Sequence, residues 1–205
     1  FQSSVALTEQ VLEKLNISSA VMVAPCVLGY GAISLAQKRP DLISHLVLSQ
    51  VPSWNEMLKW KVTRDPKGLL SKPVLSQLLL KTLKKKRTPL WLKTALGDAS
   101  LVEPFNHLAQ QAYQHGATFN LASGFQKLLI GHSPLPSQID TQTLFVWGEK
   151  DSSHCNTCKK SSLEMIPHAN LIRIPSAGHF PELEAPDIFA GHLEAFVYPQ
   201  IKLTV

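Results

Sequence analysis

Three residues of the sequence have the types and spacing for nucleophilic catalysis: Cys26, Asp151 and His179. A thiol is an intrinsically strong nucleophile once deprotonated, and an imidazole can take its proton and later return it. A carboxylate fixes the imidazole tautomer and stabilises the imidazolium. Each of the three stands in a loop that follows an apolar run. Cys26 follows Ala20-Val21-Met22-Val23-Ala24-Pro25, Asp151 lies beyond Thr143-Leu144-Phe145-Val146-Trp147, and His179 lies beyond Leu171-Ile172-Arg173-Ile174. A thiol at a helix N-terminus beside a histidine is also the setting that favours a reactive thiolate. Cysteine is equally among the most buried residue types, and a small apolar group at a strand end needs no chemistry. Residue types alone therefore leave two readings of Cys26 open: a nucleophile, or filler in a site that has lost or changed its reaction. Asp151 and His179 are expected to face each other, either as catalytic groups or as a structural pair left after catalysis was lost.

The elements that must position these residues follow from the hydrophobic pattern. Residues 5–15 repeat apolar groups at helical spacing, and the run 20–24 reads as a strand buried on both faces. Residues 27–38 read as a helix stopped by Arg39-Pro40, and 46–49 as a second buried strand. Helix, strand, helix, strand at this spacing predicts a parallel sheet with right-handed crossovers. From Pro52 to about Ile139 the strand signal disappears and helices are expected at 54–61, 74–86, 89–96, 104–115 and 118–130. Thr88-Pro89 fits an N-cap and first helical position, and Gly116 and Gly131 fit helix C-termini. The sheet pattern resumes at 143–147, with a helix at 155–166, a strand at 171–174 and a last helix at 187–197. The expected organisation is a core α/β part over 1–52, a helical cap over 53–139 and a second core part over 140–205. The three candidate loops then share the C-terminal edge of the sheet, where open α/β folds bind ligands.

Two other motifs are set aside. Gly131-His132-Ser133 also offers a hydroxyl nucleophile, but only eighteen residues separate Ser133 from Asp151, too few for a helix and a further strand between two loops on one edge of a parallel sheet. His154-Cys155-Asn156-Thr157-Cys158 has no second pair to complete a zinc site, and its His precedes the first Cys, opposite to haem attachment. It reads as thiols at the start of a surface helix. The expectation is no metal and no organic cofactor, and His45, His107, His115, His132, His168 and His192 read as ordinary surface or cap residues.

Charge and composition narrow the partners. The net charge of +5 is unevenly spread: residues 59–93 hold eleven of the twenty Lys and Arg with one acid, Asp65, and the remainder is net acidic. A nucleic-acid protein carries a basic footprint across the domain, so that class is not expected. Trp54, Trp60, Trp91 and several leucines interleave with the lysines, as on a basic amphipathic surface that could meet an anionic membrane or an anionic carrier. Three cysteines in 205 residues form no disulfide framework. The opening Phe1-Gln2-Ser3-Ser4 shows no charged segment leading into an apolar one. A cytoplasmic chain is expected.

The order strand, nucleophile turn, helix, strand, helical insertion, strand-Asp, strand-His resembles the α/β-hydrolase superfamily. Ser176-Ala177-Gly178-His179-Phe180-Pro181-Glu182-Leu183-Glu184-Ala185-Pro186 is similar to that family's catalytic-histidine loop, and Trp147-Gly148-Glu149-Lys150-Asp151 to its acid loop. The resemblance implies a mostly parallel sheet lacking the family's N-terminal strands. It also implies a Cys26-Asp151-His179 triad, with the backbone N–H of Val27 in the oxyanion hole and hydrolysis of an ester-like small molecule. A catalytically inactive relative that binds a ligand, an anionic membrane surface or a partner is the alternative. The chain departs from the family's Gly-x-Ser-x-Gly at the turn, where Ala24, Pro25, Cys26, Val27 and Leu28 fill the same slots. Leu28 replaces the small residue that lets the helix pass close behind the strand, a role that Gly29 or Gly31 could take over. The family's first strands and second oxyanion donor normally precede residues 5–15, so the chain is expected to be the C-terminal portion of a longer enzyme or a truncated relative, with an exposed sheet edge.

Overall fold

The computed structural model describes residues 2–129 and 139–199. The chain opens with α1 (Gln2–Lys14), β1 (Ala20–Pro25), α2 (Leu28–Lys38) and β2 (Ile43–Ser49). Then come α3 (Trp54–Arg64), α4 (Leu75–Ala95), α5 (Val102–Gln114) and α6 (Ala117–Ser123), the last running into a π-helical turn at Gly124–Leu128. It closes with β3 (Gln142–Gly148), α7 (Ser161–Met165), β4 (Asn170–Ile174), α8 (Pro181–Glu184) and α9 (Pro186–Val197). The four strands form one parallel sheet in the order β1-β2-β3-β4. This is the parallel α/β arrangement expected from the alternation of elements.

Period-two alternation divides the strands between two layers. Leu46, Leu48 and Phe145 face the layer built by α2 and α3, with Tyr30, Ile33, Trp54 and Met57. Val47, Leu144, Val146 and Ile174 face the other layer, with Phe189 of α9. The central strands β2 and β3 are thus covered on both sides, which is why their sequences are unbroken apolar runs. β1 differs from expectation. Val21 and Val23 remain exposed, because β1 is an edge strand and Phe189 and Phe196 of α9 pack on β2–β4 instead. Arg39, which follows α2, ties that helix back to α1 by ion pairs to Glu9 and Glu13.

The helical stretch also departs from the pattern in one respect. Residues 74–86 and 89–96 are not two helices. α4 runs through Pro89 without a break, and Thr88 is no N-cap: it is buried and its hydroxyl pairs with that of Tyr113 at 2.9 Å. The lost proline donor and its ring clash are offset by tertiary packing of Leu92, Leu96 and Val102 with Trp91, Phe105 and Phe180. Gly116, with φ +90°, ends α5 in the left-handed conformation as expected. The helix expected at 155–166 shrinks to α7, preceded by a 3₁₀ turn at Ser152–His154. Gly131, His132 and Ser133 lie outside the described residues.

Candidate functional site

Cys26 sits in the turn between β1 and α2 with φ +49°, a left-handed backbone unusual for a residue with a side chain. Its N–H donates to Ser49 O at 2.7 Å, continuing the β1–β2 ladder one step past Pro25. That bond locks the turn so that the thiol stands at the sheet's C-terminal edge. Val27 occupies the N-cap position of α2, so its N–H is among the first helical donors with no intrahelical acceptor. Leu28 points outward, 57% exposed, and obstructs nothing. Gly29 makes the close approach instead: a Cβ there would lie 2.5 Å from Val51 Cγ2.

The acid and histidine loops meet above β3 and β4. Nδ1–H of His179 donates to Asp151 Oδ2 at 2.7 Å, with both side chains buried. Gln50 Nε2 donates to the same oxygen at 2.7 Å, and the Ser153 N–H donates to Oδ1 at 2.8 Å. Gln50 also accepts from the Gly148 N–H, so one amide orients the carboxylate and braces its loop. The backbones are in close contact here. A Cβ on Gly148 would lie 1.9 Å from Gly178 O, and one on Gly178 would lie 2.1 Å from Ala95 O at the end of α4. The His179 N–H donates to Ala95 O at 2.7 Å. Glu184 accepts from the N–H groups of Gly97, Gly178 and Phe180, joining the histidine loop to the chain just after α4. Trp91 and Phe180 set ring edges or faces against His179, at 5.6 and 4.9 Å between centroids.

The Cys26 Sγ lies within 4.8 Å of a ring nitrogen of His179. The structure therefore brings together all three residues singled out from the sequence. It adds a fourth, His154. Cys155 and Cys158 are exposed, as expected of surface thiols, whereas His154, the first residue of that motif, is 1% exposed. Its ring stacks between Trp60 and His179, at 5.1 and 5.4 Å, with the edge of Trp147 against it. Its Nδ1 bonds the Thr157 hydroxyl at 3.0 Å, and its Nε2 is buried without a partner among the described residues. Its position three residues beyond Asp151 was the one available signal. Gln50 gave less, being a polar residue at the end of an apolar strand.

The electrostatics separate the two histidines. Burial disfavours the charged form of His179, but the bond to Asp151 and the adjacent thiol outweigh it and raise its pKa to about 10. Burial likewise opposes ionisation of Asp151, yet the His179 hydrogen bond and the nearby imidazoles hold its carboxyl below the usual range. His154 has no carboxylate bond. Burial dominates, aided by the charge on His179, and lowers its pKa to about 3. The two stacked rings are therefore shifted in opposite directions: His179 holds its second ring proton more tightly than a free imidazole does, and His154 more weakly. Among the described residues, Cys26, His154 and His179 are also the one group of three potential metal ligands, with donor atoms all within 4.8 Å of one another.

The sequence matches no family model and no curated protein. Solved structures do match. A probable hydrolytic enzyme from Pseudomonas aeruginosa PAO1 superposes with a TM-score of 0.67 at 18% identity, over 96% of this chain and 69% of that one. A serine hydrolase from Cycloclasticus zankles gives 0.68 at 15% identity, over 97% and 70%. A meta-cleavage product hydrolase from Pseudomonas fluorescens IP01 gives 0.68 at 17%, over 97% and 71%. The chain has the α/β-hydrolase fold. Nearly all of it aligns to about 70% of the length of these α/β-hydrolase structures, with its four described strands forming part of the parallel sheet.

Proposed function

We propose that the chain hydrolyses an ester-like small molecule with Cys26 as nucleophile, His179 as proton carrier and Asp151 as the group that orients His179. The observation that carries this reading is a thiol on a strained strand-to-helix turn, within 4.8 Å of an imidazole whose far nitrogen is held by a buried carboxylate. His179 takes the thiol proton as Cys26 attacks the substrate carbonyl. The carbonyl becomes a tetrahedral oxyanion, to which the Val27 N–H donates. His179 then protonates the departing alkoxide, leaving a thioester on Cys26. Water, deprotonated by His179, cleaves that thioester and restores the thiol. The neighbours' printed descriptions, hydrolytic enzyme and serine hydrolase among them, support hydrolysis.

The described helices of residues 53–129 act as the cap over this site. Trp91 of α4 against His179 supports a part for them in choosing the substrate. Lys81, Lys85, Lys86 and Arg87 form the exposed basic surface of α4, available to an anionic carrier or membrane surface. Among the described residues no helix is long and apolar enough to cross a membrane. Three unpaired cysteines suit a reducing, cytoplasmic setting.

The test compares the wild type with Cys26→Ala and His179→Ala, using an activated ester and a thiol-directed probe. Turnover is expected to fall by at least about 10²-fold in both variants, with selective labelling of Cys26. Equal background hydrolysis in all three proteins overturns the reading and leaves a non-catalytic binding protein.

A further inference from the structure

We infer that Cys26, His154 and His179 form a binding site for a single zinc-class divalent ion. Three features of the cluster point to a ligand, and none of them requires ester hydrolysis. First, the donor set is one thiol and two imidazoles with donor atoms within 4.8 Å of one another. Sulfur and imidazole select zinc-class ions over magnesium or calcium. Second, both rings are oriented through Nδ1, His179 by the Asp151 carboxylate and His154 by the Thr157 hydroxyl. This leaves Nε2 of each as the free donor, and a carboxylate behind a ligating imidazole is the usual support of a metal site. Third, His154 Nε2 is buried with no hydrogen-bond partner among the described residues. A buried polar atom without a partner costs free energy that an ion would recover.

Tetrahedral coordination brings such donors to roughly 3.5 Å from one another, given metal–sulfur and metal–nitrogen bonds of about 2.3 and 2.0–2.1 Å. The His154 and His179 rings lie 17° from parallel, so capture turns His154 within its slot beside Trp60 and Trp147. Binding forms a sulfur–metal bond and a nitrogen–metal bond from each Nε2, and the proton held by the Cys26–His179 pair leaves to solvent. Three protein ligands leave a fourth position for water. The filled site has no free thiol. On the hydrolase reading, the ion therefore switches turnover off and a chelator restores it.

Cobalt(II) is the probe, added to chelator-treated full chain. The wild type is expected to take up one equivalent with a thiolate-to-cobalt charge-transfer band and tetrahedral ligand-field bands, both displaced by zinc and untouched by magnesium. Tryptophan fluorescence should change in step as His154 turns. Cys26→Ser should abolish the charge-transfer band. His154→Phe, which keeps an aromatic ring in the slot, should weaken binding by at least about 10-fold, the lower bound even for an outer-shell partner. Cys155→Ser/Cys158→Ser should bind as wild type does. Absence of a stoichiometric band, full affinity in His154→Phe, or loss of the band in the Cys155/Cys158 variant each overturns the site. The ester assay separates the two proposals. Cobalt bands in a chain with no metal-free turnover leave the ion site standing and remove the hydrolase reading, and turnover without cobalt bands does the reverse.

Discussion

Gly178 is where the histidine loop presses on the end of α4, and replacing it tests how His179 is placed. A Cβ at this position would stand 2.1 Å from Ala95 O and 2.6 Å from Gly97 N. Both are backbone atoms, so no side-chain rotation relieves the contact, and the two segments must separate by more than 1 Å to reach ordinary van der Waals distance. That separation stretches the 2.7 Å bond from the His179 N–H to Ala95 O and strains the Glu184 contacts on either side of it. Overpacking costs about 1–3 kcal/mol, and one lost hydrogen bond about 0.5–1.5 kcal/mol, so Gly178→Ala should destabilise the fold by about 2–4 kcal/mol. At 2–4 °C per kcal/mol for a chain of this size, Tm falls by roughly 5–15 °C. If the thiol–imidazole pair is catalytic, a displacement near 1 Å also lowers kcat by about 10²-fold. Gly191→Ala is the control. Gly191 lies inside α9 with no described residue near its missing Cβ, so alanine should stabilise by about 0.5–1 kcal/mol through backbone entropy. Thermal melts followed by circular dichroism read both variants. A Gly178→Ala melt that coincides with wild type, or a Gly191→Ala melt that falls with it, refutes the reasoning.

Two further expectations concern the same loops. In metal-free protein, His154 binds its proton far more weakly folded than unfolded, so it favours the folded state above about pH 6.5 and loses that contribution as pH falls towards about 3. His179 has the opposite sign: its contribution is complete below about 6.5 and is lost as pH rises through about 10. Urea midpoints should therefore peak near pH 6.5, and His154→Phe should flatten the acid limb alone; an unchanged acid limb counts against a buried neutral His154. Gln50→Ala strips Asp151 of a 2.7 Å donor and leaves the buried Gly148 N–H without its side-chain acceptor. It should cost about 1–3 kcal/mol in urea unfolding, and a midpoint equal to wild type would show that the amide braces nothing.

The sheet was legible because its central strands are buried on both faces. Covering by helices on both sides forces the unbroken runs at Leu46–Val47–Leu48 and Phe145–Val146–Trp147, and such runs are visible in one dimension. The histidine loop was legible because many close contacts constrain it at once: Gly178 must be small, His179 must face Asp151, and Glu184 must collect backbone donors. Edges and helix breaks were less legible. Val21 and Val23 have the same residue types whether a neighbour covers them or not, and Pro89 reads as a helix start until the packing of Leu92 and Leu96 outweighs its cost.

By itself, then, the sequence determined the order of elements, the parallel sheet and the three loops that carry Cys26, Asp151 and His179. Hydrophobic periodicity and local backbone requirements are properties of neighbouring residues. Tertiary structure alone decided that Gly29, of the two glycines available, replaces the small residue lost at Leu28, that Gln50 holds Asp151 across 101 residues, and that His154 joins the site. Those outcomes depend on which side chains face each other once strands and loops converge, and no spacing along the chain encodes that convergence.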